Sequence, residues 1–207
     1  MSAGFLLDLH RCVGCGACVL ACRIENGRVT TAAWRRVLPL NLRRYDAGPT
    51  YFLSVACHHC DEPACLRGCP SGAYEKRPDG IVIHHEERCL GCGYCEMTCP
   101  FGAPQYDANR GVMSKCHLCA RRVDAGRAPA CVAACPTEAL TFAADVDTVN
   151  AGSEEPADIE SDRIAETRRY VPGFTDPAGC RPNLRFITPA GSTRTARFDA
   201  LAGRLRP

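Results

Sequence analysis

A chain of 207 residues has room for one or two domains, but its 46% hydrophobic content includes 17 cysteines, so the hydrocarbon left for a core is small. The formal charge is only +2, and no nucleic-acid partner is expected of so balanced a chain. No stretch approaches the ~20 consecutive apolar residues that a membrane-spanning helix needs, so no direct span is expected.

So many cysteines in a short secreted chain would suggest a disulfide framework. Three features oppose that reading. Only eleven residues precede Cys12, they contain no signal-peptide apolar stretch, and the thiols fall in C-x2-C clusters. Thiols this close suit metal. The arginine pairs Arg35-Arg36, Arg43-Arg44, Arg121-Arg122 and Arg168-Arg169 are internal, so none reads as a twin-arginine export signal. On its own signals the protein is expected in the cytoplasm. Membrane association, or co-export to the periplasm, would come through a partner.

In chain order, Phe5, Leu6, Leu7, Asp8 and Leu9 pattern as a short strand. It leads into a first quartet, Cys12, Cys15, Cys18 and Cys22, spaced x2, x2, x3. Gly14 and Gly16 lie between these thiols, where the chain must fold tightly and turn amide N–H groups toward inorganic sulfide. Arg23 stands where a bacterial ferredoxin run has proline, and residues 23–27 read as the finish of a helical turn that stops at Gly27. Two strand-like stretches follow, Trp34 to Leu40 and Thr50 to Val55, joined through a turn composition at Asp46, Ala47, Gly48 and Pro49. The second quartet, Cys57, Cys60, Cys65 and Cys69, is spaced x2, x4, x3 and followed by Pro70. Pro78, Asp79 and Gly80 between two short apolar runs read as a hairpin turn, the connector of a two-cluster ferredoxin.

The third quartet, Cys89, Cys92, Cys95 and Cys99 before Pro100, has the bacterial ferredoxin spacing C-x2-C-x2-C-x3-C-P. Three close thiolates suit one cubane. The fourth is too far along the chain for the same cube and ligates a second, so the run is half of a two-cluster unit. Another hairpin is expected to turn at Asn109, Arg110 and Gly111. The fourth quartet, Cys116, Cys119, Cys131 and Cys135, is spaced x2, x11, x3 and ends at Pro136, with a surface loop at 125–129 and a closing strand from Ala139 to Ala143. The quartets are repeats of one unit, and three of the four end Cys-Pro. From Asp145 onward the composition turns polar, acidic at first and later rich in Arg and Ala. An extended tail with one short helix near Glu154 to Arg169 is expected there, wrapping a neighbour and adding no second core.

Sixteen thiolates suffice for four [4Fe–4S] clusters, with Cys180 left over as a small packed residue. C-x2-C pairs also build structural zinc sites, so a zinc-stabilised interaction module is the rival. Zinc, however, needs two well-separated pairs and has little use for a third thiol at x2. Four oxidised cubanes would turn the formal +2 into about −6. That gives a purpose to Arg11, Arg23, Arg67, Arg88, Lys115, Arg121 and Arg122 beside the ligands, each otherwise a solvated charge. His58, His59, His84, His85 and His117 read as hydrogen-bond donors behind the ligands or as surface residues, not as ligands. There is no phosphate-cradling glycine loop, no H-E-x-x-H and no nucleophile with a base, so no catalytic residue is assigned.

The four quartets, with x4 in the second and the long gap in the fourth, resemble the iron–sulfur electron-transfer subunit of the dimethyl sulfoxide reductase type. Similar subunits serve polysulfide, tetrathionate, sulfite, nitrate and formate oxidoreductase complexes. The resemblance runs from about Phe5 to Phe142 and includes Glu25, Asn26 and the run Trp34, Arg35, Arg36, Val37. Val171, Pro172, Gly173, Phe174 and Asp176, Pro177 resemble that family's C-terminal docking segment. The resemblance implies an α+β fold of two nested ferredoxin-like two-cluster modules, with short hairpins, short helices, long loops and an extended C-terminal arm. Residues 1–28 with 116–145 would form the outer module, 29–115 an inserted inner module, and 146–207 a docking tail.

It also implies that the first quartet pairs with the fourth and the second with the third. Cys12, Cys15, Cys18 and Cys135 would hold the cluster nearest a molybdopterin catalytic subunit, and Cys22, Cys116, Cys119 and Cys131 the next. Cys57, Cys60, Cys65 and Cys99 would hold the third. Cys69, Cys89, Cys92 and Cys95 would hold the last, facing an integral membrane subunit that exchanges electrons with quinone. Some relatives replace the residue matching Cys92 and carry a three-iron cluster there; this chain keeps cysteine. The expected function is a non-catalytic wire of a respiratory chain. The alternative is a stand-alone polyferredoxin or a hydrogenase-linked ferredoxin subunit.

Overall fold

Cysteines recur too often in this sequence for any element to grow long. The computed structural model describes residues 1–27, 33–40, 51–148, 167–168 and 179–187, and within them the strands have at most five residues and the longest helix nine. Strand β1 (Gly4–Asp8) is buried along its whole length and delivers the chain to the first quartet. Helix α1 (Ala17–Glu25) starts from Gly16 in the left-handed region and closes at Asn26 and Gly27. It continues three residues past Cys22, because Arg23 keeps the N–H and the backbone freedom that a proline would remove.

Strands β2 (Arg36–Leu40) and β3 (Tyr51–Val55) pair antiparallel, as their patterning predicts; the turn expected at 46–49 lies outside the described residues. Helix α2 (Ala64–Arg67) precedes the first Cys-Pro pair. Strands β4 (Tyr74–Lys76) and β5 (Val82–His84) form the first expected hairpin, turning through Gly80 at φ 91°. Helix α3 (Tyr94–Thr98) stops at Cys99. Strands β6 (Gln105–Asp107) and β7 (Val112–Ser114) form the second hairpin, with Asp107 Oδ1 accepting from Asn109 N at 3.1 Å inside the turn. Helix α4 (Ala120–Asp124), an exposed loop at 125–128, helix α5 (Ala130–Ala133) and strand β8 (Leu140–Ala143) complete the region of the quartets. Helices α2, α3 and α5 all end before the last cysteine of their quartet, since a residue preceding proline is pushed out of the helical region. The result is an α+β arrangement of short helices and small sheets.

After Asp145 the described residues add strands to the first core. Strand β10 (Leu184–Ile187) runs parallel to β1 and sits inside a four-stranded sheet of order β8-β1-β10-β9, where β9 is Thr167–Arg168. Cys180, Asn183, Leu184, Arg185 and Phe186 are each at most 1% exposed. The reason lies in β1, whose five residues are all buried, so both of its edges need covering. Antiparallel β8 supplies one edge and β10 the other. The helix expected near Glu154 to Arg169 falls mostly outside the described residues, but its end at Thr167–Arg168 is a strand bonded to Phe186 and Ile187. The docking-segment resemblance at 171–177 lies outside the described residues.

The main apolar cluster joins this sheet to the middle of the chain, with Phe5, Leu140 and Phe186 meeting Leu53, Ile81 and Phe101. Phe186→Ala empties a fully buried site in that cluster. We expect it to cost about 3–5 kcal/mol, measured as a lower guanidinium midpoint at unchanged slope. A midpoint equal to the parent's would show that β10 adds nothing to the core.

Candidate metal centres

The four C-x2-C loops share one backbone device. In each, the residue before the second cysteine has left-handed backbone: Gly14 (φ 70°), His59 (φ 46°), Gly91 (φ 66°) and Leu118 (φ 57°). This turns amide groups back onto sulfur, so Gly91 N donates to Cys89 Sγ and Leu118 N to Cys116 Sγ, both at 3.4 Å. Glycine adopts the conformation freely, whereas His59 and Leu118 carry about 1–2 kcal/mol of strain each. Both are 0% exposed, held by the packing around them.

A second device follows each Cys-Pro pair. Gly72, Gly102 and Glu138 occupy equivalent positions with φ of 63°, 56° and 53°. The alanine after each one faces the cysteine before it, and Ala73 N donates to Cys69 Sγ at 3.4 Å. The amides at Phe101 and Ala103 serve Cys99 in the same way, and those at Thr137 and Ala139 serve Cys135.

These loops bring twelve thiols around three cavities. Cys12, Cys15, Cys18 and Cys135 line one of about 330 Å³, together with Ser54. Cys22, Cys116, Cys119 and Cys131 line one of about 250 Å³, together with Arg35. Cys57, Cys60, Cys65 and Cys99 line one of about 370 Å³, where Lys115 and the seventeenth thiol, Cys180, also sit. Of the remaining four, Cys69, Cys89 and Cys95 gather beside Val82 and Met113, while Cys92 is exposed.

The dimensions speak to what such sites can hold. Zinc draws four thiolates to about 2.3 Å from one centre. Among the described residues, no three His, Cys, Asp or Glu side chains converge to hold a single ion. Each cavity is instead ringed by four thiols drawn from two quartets. Four soft thiols at one site are the donor set of an iron–sulfur cubane. The residues fit that group, and the zinc module is disfavoured.

Burial shapes the thiols. It pushes Cys22 up to about 11, with Cys131 adding to it and Arg35 opposing it. Cys65 is pushed up to about 12 by burial and by neighbouring Cys57, and Cys99 to about 11 chiefly by burial. Cys116, fully enclosed, is held well above the ordinary thiol range by burial and by Cys22. Cys69 and Cys135 go the other way. Burial raises them, but hydrogen bonds at Ser71 and Ala73, and at Thr137, Ala139 and Leu140, outweigh it.

Of the basic residues expected beside the ligands, Lys115 is buried. Its Nζ donates to Cys116 O at 3.0 Å and to Val82 O. Arg11, Arg67 and Arg122 pair instead with Glu138, Glu62 and Glu25. The reading of the sequence missed Arg35, which is 1% exposed, donates through Nη1 to Ser54 Oγ at 3.0 Å and lies 4.5 Å over the Phe5 ring. Burial works against its charge, but Cys131, Cys116, Cys18 and Cys22 together outweigh that and hold the guanidinium above its ordinary range. Arg35 sits in the bend before β2, where Trp34 is buried beside it.

The histidines are packing elements. His59 Nδ1 accepts from Val82 N at 2.9 Å, His58 stands edge-on to Phe101 at 4.6 Å, and His117 edge-on to Trp34 at 5.2 Å. His85 lies between Glu75 and Glu87 at 3.0 and 3.3 Å. Burial lowers His58 to about 3, and burial together with Lys115 lowers His84 to about 4, so both are neutral.

Residues 49–145 match the family model of the 4Fe-4S dicluster domain. Over 149 residues the sequence is 44% identical to an anaerobic dimethyl sulfoxide reductase chain of Haemophilus influenzae, covering 68% of this chain and 73% of that protein. It is 37% identical to a sulfite dehydrogenase subunit of Allochromatium vinosum, covering 66% of each. It is 38% identical to a thiosulfate reductase electron transfer subunit of Salmonella typhi, covering 66% of this chain and 73% of that protein.

A histidine whose folded value lies below the ~6.5 of the unfolded chain binds fewer protons folded than unfolded. Its contribution to stability is therefore complete above that pH and is lost as pH falls toward the folded value. For His84 the window runs from ~6.5 down to about 4. His84→Gln should lose less stability than the parent between about pH 7 and about pH 5, compared by denaturation midpoints. Equal losses would show that His84 is not held neutral.

Proposed function

This protein belongs to the iron–sulfur electron-transfer subunits of the dimethyl sulfoxide reductase type, and we propose that it relays electrons through four [4Fe–4S] clusters between a molybdopterin catalytic subunit and a quinone-linked integral membrane subunit. It is the electron-transfer member of such a complex and not its catalyst. The observation that carries the reading is the lining of the cavities, in which each foursome of thiols is drawn from two quartets far apart in the chain.

On this reading Cys12, Cys15 and Cys18 hold one group with Cys135, and Cys116, Cys119 and Cys131 hold another with Cys22. Cys57, Cys60 and Cys65 hold a third with Cys99. Cys89, Cys92 and Cys95 hold the fourth with Cys69. Residues 1–28 with 116–145 then make an outer module around an inner module at 29–115, and residues 146–207 include the segments that dock on a partner. When bound, such a cluster takes up and gives back one electron. The chain's own residues supply four ligands to each site, amide N–H groups to the sulfurs, and walls of Phe5, Leu7, Phe101 and Leu118 that keep water out. Among the described residues no helix is long and apolar enough to cross a membrane, and on this reading the integral membrane partner provides the attachment. The exposed Cys92 and its neighbours Leu90 and Tyr94, at 71% and 50% exposure, suit the end of the wire that meets it. A free polyferredoxin is the weaker reading, because the relatives are subunits of reductase and dehydrogenase complexes.

Anaerobically purified protein should contain about 16 irons and as many acid-labile sulfides, measured by colorimetric analysis. Zinc without sulfide would reject the reading. Cys92→Ser should alter the EPR signature of one cluster and leave three unchanged. A change in a cluster that Cys12→Ser also alters would refute the pairing of quartets.

A further inference from the structure

A guanidinium is costly to bury unless nearby charge compensates it. Arg35 is 1% exposed, yet its hydrogen-bond acceptors are neutral: the Ser54 carbonyl at 3.4 Å and the Ser54 hydroxyl at 3.0 Å. Its Nε and Nη2 are buried with no hydrogen-bond partner among the described residues. The charge is therefore unmatched by the carboxylates of the described residues. What surrounds it is sulfur. Arg35 lines the cavity of Cys22, Cys116, Cys119 and Cys131. Through Ser54 it also reaches the neighbouring cavity, because the Ser54 hydroxyl is 3.3 Å from Cys18 Sγ and lines the site of Cys12, Cys15, Cys18 and Cys135. Arg35 donates to the Ser54 oxygen, so the hydroxyl keeps its proton available for a Cys18 thiolate. Cys18 and Cys22 themselves lie one turn apart on α1, so the two cavities are adjacent and the cation stands between them.

We propose that Arg35 is a shared counter-cation for these two sites, facing one directly and the other through the Ser54 hydroxyl, and that it raises the reduction potentials of the clusters held there. The inference rests on the cluster reading above. A thiolate-ligated cluster is anionic and gains a further negative charge on reduction, so a fixed cation beside it favours the reduced form. The desolvated setting strengthens the effect, and the guanidinium spreads its donors over a planar fork broader than an ammonium. Lys115 is no substitute at these sites. Its Nζ is committed to Val82 O and Cys116 O, and it lines the cavity of Cys57, Cys60, Cys65 and Cys99.

The test is an EPR-monitored redox titration of the full chain, purified anaerobically, as parent, Arg35→Gln, Arg35→Lys and Ser54→Ala. In Arg35→Gln two of the four midpoints should move to more negative potential. Each should show about a tenfold fall in the reduced-to-oxidised ratio at the parent's midpoint, equivalent to about 59 mV for one electron. The other two should stay in place. Arg35→Lys keeps the charge and should shift the same two by less, while Ser54→Ala should lower one of the two alone. Four unmoved midpoints in Arg35→Gln at the parent's iron and sulfide content would overturn the proposal, as would four that move alike. If Arg35→Gln fails to assemble its clusters, Ser54→Ala decides, and unmoved midpoints there overturn the proposal equally. A parent protein without iron and sulfide would instead refute the cluster reading on which it rests.

Discussion

Like sulfurs crowded together in a nearly dry interior repel one another as soon as they ionise, and this shapes everything else in the molecule. The same enclosure that shields a bound group from water raises the thiols that must ligate it: Cys22 and Cys99 to about 11, Cys65 to about 12, and Cys116 well above the ordinary thiol range. At neutral pH these thiols keep their protons until metal displaces them, so ligation and proton release are one event. The ligands are also part of the core. Cys18, Cys131 and Cys180 belong to the main apolar cluster alongside Phe5, Leu7 and Phe186. With so little hydrocarbon per residue, the group that binds the thiols also completes the packing, and ligation becomes folding energy.

Charge inside is handled by few residues, each specifically placed. The surface ion pairs, such as Arg67 with Glu62, are solvated and worth about 0–1 kcal/mol. Three buried cations differ in kind. Arg185 pairs with Asp147, whereas Arg35 is tied to Ser54 and Lys115 to two backbone carbonyls, so these side chains cannot swing out to water. Amide dipoles do the rest. The recurring left-handed residue in each C-x2-C loop and after each Cys-Pro pair aims N–H groups at sulfur without placing a full charge there. Hydrogen bonding to sulfur, solvent exposure and net charge are the levers that set cluster potential, and this chain varies all three from one site to the next.

Much of this was legible in the residues. Gly14 and Gly91 announce the tight loops, Pro70, Pro100 and Pro136 announce where helices stop, and Asp79-Gly80 and Asn109 to Gly111 announce the hairpins. These signals are local, acting through the backbone preferences of single residues. What escaped was non-local. His59 and Leu118 adopt glycine-like backbone although nothing in their own chemistry asks for it; enclosure imposes it. Arg35 escaped because the strand opposite it, and the sulfurs behind that strand, are invisible from the sequence around position 35. Leu184 to Ile187 carried a fair strand pattern, but sat in a polar stretch and had no visible partner until β1 proved to need a second edge.

That late strand does more than cover an edge. Asn183 O accepts from Phe5 N at 3.1 Å on the β1 side, while Asn183 N donates to His58 O at 3.0 Å and its Nδ2 to His59 O at 2.8 Å. Asp61 N and Glu62 N donate to the carbonyls of Arg181 and Cys180. Residues 180–183 thus bond at once to the sheet beside the first quartet and to the loop that presents Cys57 and Cys60. The fit is close enough that a methyl group on Gly4 would stand 2.0 Å from Asn183 O. Electron transfer between sites depends on how rigidly their separation is kept, and here a segment more than a hundred residues away in sequence links one site to the next. The clasp fixes the loop of Cys57 and Cys60 against the strand that leads into the first quartet, which gives residues beyond the last quartet a structural role at the thiol sites.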